Sequence, residues 1–192
     1  DESTILRFRH LLEAHNLQSQ IFDLVSTLLQ DKGLMLKQGT TVDATLIAAP
    51  SSTKNQKGQR DPDMHSSKKG NQWYFGMKAH IGTDTQSGLV HTVEGTAGNV
   101  HDVTMTGKLL HGQEEAILGD AGYTGADKRD DVQTQANWFL AMKAGKRKAL
   151  DKNSPIGAAQ EQHEKSKASL RAKVEHAFGV LKCQFGYRKV RY

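Results

Sequence analysis

A chain of 192 residues is long enough for one ordinary α/β domain with a buried core and too short for two large ones. It is 36% hydrophobic and 24% charged, and it contains no apolar run near the roughly 18 residues that a membrane-spanning helix needs. The single Cys183 excludes an intrachain disulfide and favours a reducing compartment, by default the cytoplasm. The formal charge of +5 and a pI near 9.3 permit a polyanionic partner without requiring one.

The first segment predicts two amphipathic helices. Apolar side chains recur at spacings of three and four from Ile5 to Leu29, and the pattern breaks near His15 and Asn16. The chain has no Met at position 1 and begins inside a helix-start pattern, so we expect a fragment that opens with a helical arm over residues 1–36. We do not expect a secretory signal, because residues 1–20 lack a basic segment followed by an apolar one.

The middle of the chain predicts three strands. Alternating, β-branched residues indicate a strand from about Thr40 to Ile47. The runs at 73–84 and 88–96 are separated by turn-forming residues and predict an antiparallel hairpin. Residues 50–71, which lie before that hairpin, have almost no apolar content and predict a long, mobile, basic loop.

The second half predicts alternating helices and strands. Residues 98–112 have the pattern of a capped helix, and residues 116–118 that of a buried strand that ends at a carboxylate. A helix over about 125–135, a strand over 137–142, a basic polar segment over 143–165 and a long helix around 169–182 follow. This order predicts an α/β fold with a mixed sheet flanked by helices. An RNase H-like fold has this order, although periodicity alone does not separate it from other α/β sheets.

Asp43 is the first candidate site residue. The strand period places it on the face opposite Val42 and Ala44. A buried, ionised aspartate costs several kcal/mol unless it is paired or bound to a cation. The alternative is an aspartate that is exposed or paired with a neighbouring Lys or Arg.

Two further acids complete a candidate site. Asp120 ends the buried strand, where open α/β sheets place ligand-binding groups, but a turn or N-cap role explains it equally well. Glu175 lies between Arg171 and Lys182 on one helical face, where the alternative is a surface pair worth a few tenths of a kcal/mol. Three acids from different elements suit hard divalent ions such as Mg²⁺ or Mn²⁺ acting on a phosphodiester. Arg171 and Lys182 would then hold DNA phosphates.

A resemblance to a known family covers essentially the whole chain. It rests on the order and spacing of seven blocks: DESTILRFRHLLE, TTVDATLI, HSSKKGNQWYFGMKAHIG, TAGNVHD, LGDAGYTG, RAKVEHAFGVLK and FGYRKVRY. In these blocks the chain resembles the DDE transposases of the IS4/IS5 insertion-sequence superfamily and is most similar to the IS5-type enzymes. The resemblance implies an RNase H-like catalytic domain over residues 37–192, preceded by the end of a truncated DNA-binding region over residues 1–36.

The resemblance also implies roles for individual residues. Asp43, Asp120 and Glu175 correspond to the catalytic metal ligands, which would bind two Mg²⁺ (or Mn²⁺) ions. The superfamily has an arginine four residues before the glutamate and a lysine seven after it, which correspond to Arg171 and Lys182.

One position departs from the superfamily pattern. The superfamily has a tyrosine three residues before the arginine, where this chain has Ala168, and the departure favours IS5-like chemistry. Lys78, within the block at 65–82, is assigned to DNA phosphate contact. The implied partners are terminal inverted repeats and target DNA, bound by a homodimer in the bacterial cytoplasm at the nucleoid.

The histidines suggest a rival metal site. His80, His91, His101 and Asp102 are imidazole and carboxylate ligands of the kind that transition metals prefer, but their spacing matches no compact ligand motif. His101 and Asp102 are alternatively expected to lie behind the Asp43 and Asp120 site as supporting residues.

Two other functions remain open at this stage. A DNA-binding module without catalysis would need only the basic residues of segments 50–71 and 143–165. In such a module Trp73 and Tyr74 would stack on a base, although hairpin packing explains them as well. A nuclease that only hydrolyses would use the same acids and metals as a transposase.

Overall fold

The computed structural model describes residues 1–36 and 38–190; Lys37 and the last two residues of the FGYRKVRY block lie outside the described part. The chain divides into two compact units, residues 1–36 and residues 37–192.

The first unit consists of two helices, as the apolar spacing predicts. Helix α1 spans Glu2–Ala14 and helix α2 spans Leu17–Asp31. The Asp1 side chain accepts a hydrogen bond from the Ser3 amide and so caps α1. The break between the helices falls at Asn16, whose left-handed backbone (φ 49°) ends the first helical path.

The second unit is built on a six-stranded mixed sheet. The strands are β1 (Gly39–Ala48), β2 (His65–Lys69), β3 (Gln72–Asp84), β4 (Val90–Ala97), β5 (Ala116–Gly119) and β6 (Asn137–Leu140). The order across the sheet is β2-β3-β1-β5-β6, and β4 pairs with the other part of β3. Strands β1, β5 and β6 run parallel, whereas β2, β3 and β4 form an antiparallel ribbon. The predicted α/β fold is confirmed, and the architecture is consistent with an RNase H-like fold.

Strand β1 is central because it pairs with β3 on one side and with β5 on the other. Its first four residues are all buried, which fits its β-branched composition. Val42 packs in a core cluster with Leu109, Tyr123 and Ala126. The rest of β1, which contains Asp43, is mostly only partly buried.

The helices of this unit are α3 (Thr106–Leu109), α4 (Ala144–Lys148) and α5 (Pro155–Gly179), and a π-helical turn over Val180–Gln184 continues α5. Ser154 caps α5 through a hydrogen bond from the Gly157 amide, and Pro155 occupies the first turn. Helix α5 packs against β1 and β5. No helix in the described part of the chain is both long and apolar enough to cross a bilayer.

Two predictions for polar segments were wrong in detail. Residues 65–69 form edge strand β2 rather than part of a loop, because they pair with β3 despite their polar side chains. Segment 143–165 contains α4 and the first turns of α5, since Ser154 and Pro155 start the long helix well before residue 169.

Two predicted helices are shorter than their patterns indicate. The helix predicted over 125–135 is only a 3₁₀ turn at Ala126–Lys128. The helix predicted over 98–112 is a 3₁₀ turn (Asp102–Met105) followed by the short α3.

Candidate active site

A cleft of about 240 Å³ lies at the carboxyl ends of β1 and β5. That volume accommodates a phosphate group and several waters, each of which needs about 30 Å³. Six of its lining residues are charged: Asp43, Lys68, Lys69, Lys78, Asp102 and Asp120. The cleft therefore places three carboxylates and three ammonium groups around a space of phosphate size.

The parallel pairing of β1 and β5 brings Asp43 and Asp120 to this cleft. Thr41 is paired with Leu118, and each aspartate follows its paired residue by two positions. Side chains two residues apart on a strand share a face, so neighbouring parallel strands present these two acids side by side. Asp120 lies just past the end of β5 and accepts a hydrogen bond from the Gly122 amide at 2.8 Å, which fixes the turn that follows.

The surroundings of Asp43 oppose the ionisation of its carboxyl group. Burial raises its pKa to about 6, and the nearby carboxylates of Asp120 and Asp102 contribute to the rise, while a hydrogen bond from the Ala44 amide and the Arg171 charge oppose it. Its Oδ1 accepts that amide hydrogen bond at 2.7 Å. A carboxyl whose ionisation is resisted by two neighbouring acids is a place where an added cation would be stabilising.

Asp102 is already neutralised by Lys78. The Lys78 ammonium donates to Asp102 Oδ1 and to the Val100 carbonyl, each at 2.8 Å. His80 Nδ1 lies 3.8 Å from the same Oδ1, and burial of the imidazole lowers its pKa. Asp102 thus holds Lys78 at the cleft, next to Asp43 and Asp120.

Helix α5 contributes Arg171 to the site. Arg171 is partly buried, and its charge acts on both Asp43 and Tyr123. Its Nε has no hydrogen-bond partner within the described part of the structure. Because buried donors without a partner are uncommon in proteins, this nitrogen marks Arg171 as a candidate functional residue.

Tyr123 lies at the site although its sequence context predicted no role for it. It is 1% exposed, and its hydroxyl has no partner among the described residues. Burial raises its pKa, as do the charges of Asp102, Asp43 and Asp120. The one sequence signal was its place three residues after Asp120, in a turn that returns the chain to the cleft.

The remaining predicted residues do not line the cleft. Glu175 is exposed, one helical turn after Arg171, and does not line the cleft. The Lys182 ammonium donates to the carbonyl of Leu46, a lining residue, at 2.9 Å. His101 is exposed at the start of a 3₁₀ turn, and Ala168 is exposed on α5.

The donor set suits a hard divalent ion in part. Asp43 and Asp120 supply carboxylate oxygens of the kind that Mg²⁺ and Mn²⁺ prefer, and such ions complete their coordination with water and substrate phosphate. Across residues 1–36 and 38–190, no three side chains of His, Cys, Asp and Glu are grouped closely enough to hold a metal by themselves. Two carboxylates therefore fit the ion, and a third ligand has to come from elsewhere.

The rival histidine site is not formed by the described residues. His91 instead contacts Thr40 through Nε2 at 3.1 Å and Thr92 through Nδ1 at 2.8 Å. His80 contacts Thr96 through Nε2 at 2.8 Å. These two imidazoles serve the packing of β1, β3 and β4.

Comparison with known proteins identifies a family. A protein-family model described as a transposase DDE domain matches residues 35–192, which is most of the chain. No solved structure matches the chain.

Proposed function

We propose that this chain, which belongs to the transposase DDE domain family, catalyses metal-dependent phosphodiester cleavage and strand transfer at the terminal inverted repeats of an insertion sequence. The family gives it a transposase or nuclease type of function, with DNA as substrate and divalent ions as the usual cofactor. The observation that carries the finer proposal is the joint placement of Asp43 and Asp120 in a charged cleft at the ends of two parallel strands.

Asp43 and Asp120 are the residues that would hold the divalent ions, two Mg²⁺ or Mn²⁺ ions in the proposed active state. When bound, such ions lower the pKa of an attacking water or 3′-hydroxyl and stabilise the leaving oxygen of the phosphodiester. Asp43 has its pKa raised to about 6 mainly by burial, so a bound cation would favour its ionised form. Asp120 is held in place by the Gly122 amide and needs no rearrangement.

Glu175 is proposed as the third acid. Its exposed side chain lies one turn beyond Arg171 on α5 and has to turn toward the cleft when substrate and ions are present. An exposed glutamate loses little by doing so, because no buried interaction has to be broken. Its assignment rests on the resemblance and on the approach of α5 to the site.

Three basic residues are proposed to bind DNA phosphates. Arg171 has an unpartnered buried nitrogen among the described residues, and Lys78 is fixed at the cleft by Asp102. Lys182 is anchored on the Leu46 carbonyl, and burial lowers its pKa together with the charges of Lys69 and Arg188. A cation next to other cations gains from an anionic partner, which fits a phosphate.

The proposal extends to the assembly. IS5-type transposition implies a homodimer that brings two terminal repeats together, acting in the bacterial cytoplasm at the nucleoid. Residues 1–36 would then take part in DNA binding. Size-exclusion chromatography with light scattering, with and without repeat DNA, tests the dimer.

The test of the function uses the terminal repeats with their flanking DNA. The protein is incubated with labelled repeat DNA and Mg²⁺, and nicked and joined products are separated on a denaturing gel. We expect both products from the wild-type chain and neither from Asp43→Asn, with DNA binding retained by the variant. Nicks without joined products would instead indicate a nuclease that only hydrolyses, and unchanged cleavage by Asp43→Asn would remove the catalytic assignment.

A further inference from the structure

Two exposed aromatic rings lie on segments that also carry basic residues at the cleft. Trp73 is 68% exposed on β3, and Phe185 is 78% exposed just after the π-helical turn. Large aromatic side chains bury about 150–250 Å² when they pack, so a ring left this open has lost most of that stabilisation. Trp73 was expected to pack within the hairpin or to stack on a base, and its exposure rules out the packing.

Each ring has a neighbouring lysine that lines the cleft or bonds to a residue that lines it. Trp73 is directly opposite Lys68 in the pairing of β2 and β3, and Lys68 and Lys69 line the cleft. Phe185 follows the turn that carries Lys182, whose ammonium is bound to the cleft residue Leu46. The two rings therefore belong to segments that reach the same cleft from β2–β3 and from the end of α5.

Positive charge connects these segments. The charge of Lys69 acts on Lys182, as does that of Arg188, and Arg188 donates from Nε to the Lys182 carbonyl at 3.0 Å. The chain after α5 is also fixed to the end of β1, since the Ala48 amide donates to the Arg188 carbonyl at 3.1 Å. We define the basic-aromatic surface by six residues: Lys68, Lys69, Trp73, Lys182, Phe185 and Arg188.

The chemistry of this surface indicates which kind of molecule it binds. Ammonium and guanidinium groups attract phosphates, and flat rings gain from stacking on bases. Bases inside a duplex are already stacked on one another, so only unpaired nucleotides can offer a face to Trp73 or Phe185. A double-stranded segment would use the cations and leave both rings in water.

We infer that the basic-aromatic surface binds an unpaired stretch of DNA beside the cleft, with bases stacked on Trp73 and Phe185 and phosphates on the four cations. The inference rests on the proposed function in taking DNA as the substrate. It adds that the strand next to the cut is held single-stranded, which keeps its end in the cleft between cleavage and joining.

The test follows the fluorescence of Trp73. The chain has two tryptophans, and Trp138 lies partly buried in β6, so Trp138→Phe leaves Trp73 as the only tryptophan emitter. A single-stranded oligonucleotide is titrated against an abasic strand of the same length and a blunt duplex. We expect quenching by the single strand alone, because the abasic strand has the phosphates without the bases. Equal quenching by the abasic strand, or none by the single strand, would overturn the inference.

A second measurement does not depend on the Trp138 substitution. In the wild-type background, Trp73→Leu should weaken binding of a labelled single strand by about tenfold or more, since one base stacked on an aromatic ring contributes about 1–3 kcal/mol. Val93→Ala, which shortens a side chain 52% exposed on β4, should leave that affinity unchanged. Equal affinities for wild type and Trp73→Leu would also overturn the inference.

The same preparations separate this inference from the proposed function. If the wild-type chain cleaves repeat DNA but gives no base-dependent fluorescence change, the proposed role of the basic-aromatic surface is rejected and the transposase proposal stands. If the fluorescence change depends on the bases but no DNA is cleaved in Mg²⁺, the binding of unpaired DNA is supported and the proposed catalysis is rejected.

Discussion

Charged residues have different partners at the two ends of the long helix that α5 and its π-helical turn form. In residues 155–167 both glutamates are paired within the protein: Arg147 forms two hydrogen bonds with Glu161, at 2.9 and 3.1 Å. Glu164 is 4% exposed, accepts a hydrogen bond from the Met142 amide at 2.9 Å and forms an ion pair with Lys167. Burial alone would raise the pKa of Glu164, but Lys167 and the Met142 amide outweigh burial and lower it.

In residues 171–182 the charged groups form no such carboxylate–cation pairs with other described residues. Arg171 has a buried nitrogen without a partner in that part of the structure, Glu175 is exposed, and Lys182 is bound to a carbonyl oxygen. Leaving a buried donor unpaired costs about 1–3 kcal/mol, so such a group is either a loss of stability or a site for a ligand. The difference indicates that the first half places the helix on the sheet and the second half serves the cleft.

Removing the buried acid of the first half should have the largest effect on folding. Glu164→Ala leaves the Met142 amide and Lys167 without their acceptor, so we expect the free energy of unfolding to fall by about 3 kcal/mol. Urea unfolding measures it. The matched change in the second half, Glu175→Ala, should stay within about 0.5 kcal/mol because that side chain is exposed. Similar losses of unfolding free energy for both variants would contradict the proposed difference between the two halves of the helix.

Removing the Arg171 side chain should affect activity rather than folding. We expect Arg171→Ala to lower the rate of repeat-DNA cleavage by about 10–100-fold, the usual cost of losing a group that supports a metal site. Arg171→Lys should recover part of the rate, because the positive charge near Asp43 returns. Arg147→Ala is the control from the paired half, and its cleavage rate should be normal below its unfolding temperature. A normal rate for Arg171→Ala would show that the unpaired nitrogen has no catalytic use.

The acid on which the Arg171 charge acts should give stability a specific pH dependence. The pKa of Asp43 is about 6 in the folded protein against an ordinary value of 3.8 for an aspartate in water, mainly because of burial. The folded state then holds this proton more tightly than the unfolded state, so stability falls as pH rises from about 4 to about 6. In EDTA, Asp43→Asn should be more stable than wild type by about 1–2 kcal/mol at pH 8 and no more stable at pH 4.

Two comparisons check the origin of that dependence. Asp127→Asn, which changes an exposed aspartate, should follow the wild-type pH profile. Adding Mg²⁺ at pH 8 should stabilise wild type more than Asp43→Asn, because an ion that binds only the folded state stabilises it by mass action. A wild-type stability that rises between pH 4 and pH 6 relative to Asp43→Asn would contradict the electrostatic description of the cleft.

The smallest effect concerns the buried hydroxyl beside these acids. Tyr123→Phe removes an oxygen without a partner among the described residues, so we expect the free energy of unfolding to stay equal or to rise by up to about 1 kcal/mol. Urea unfolding in EDTA is the measurement. A loss of more than about 1 kcal/mol would mean that the hydroxyl makes a stabilising hydrogen bond in the free protein.

The sequence predicts the parts of the fold whose pattern is set locally. The alternation around Asp43 and the apolar run that ends at Asp120 indicated β1 and β5, and the turn after Asp84 indicated the β3–β4 hairpin. Strand β2 was not predicted because residues His65–Lys69 are polar. The strand forms through its hydrogen bonds with β3. The long helix was predicted too short because its first half is held by distant ion pairs rather than by an apolar stripe.

The candidate site likewise has residues that local sequence predicts and residues that it does not. The burial of Asp43 and the strand-end position of Asp120 follow from their local sequences, and both lie in the cleft. Asp102 was expected as a supporting residue and lines the cleft, whereas the position of Tyr123 depends on how a separate turn packs against Val42 of β1, which no local pattern encodes. Glu175 was grouped with the two aspartates by its helical face and by resemblance, while the free protein leaves it exposed, so its part in catalysis stays a prediction.

The three-acid site is therefore tested most directly by the cleavage rate of Glu175→Gln on terminal-repeat DNA in Mg²⁺, measured beside its unfolding midpoint and DNA affinity. We expect the rate to fall by about a thousandfold, the order of loss when one preorganised electrostatic group is removed from a transition state. The midpoint and the affinity should stay unchanged, because the side chain is exposed in the free protein. A wild-type rate for Glu175→Gln would show that this glutamate is only a surface charge and would contradict the three-acid site.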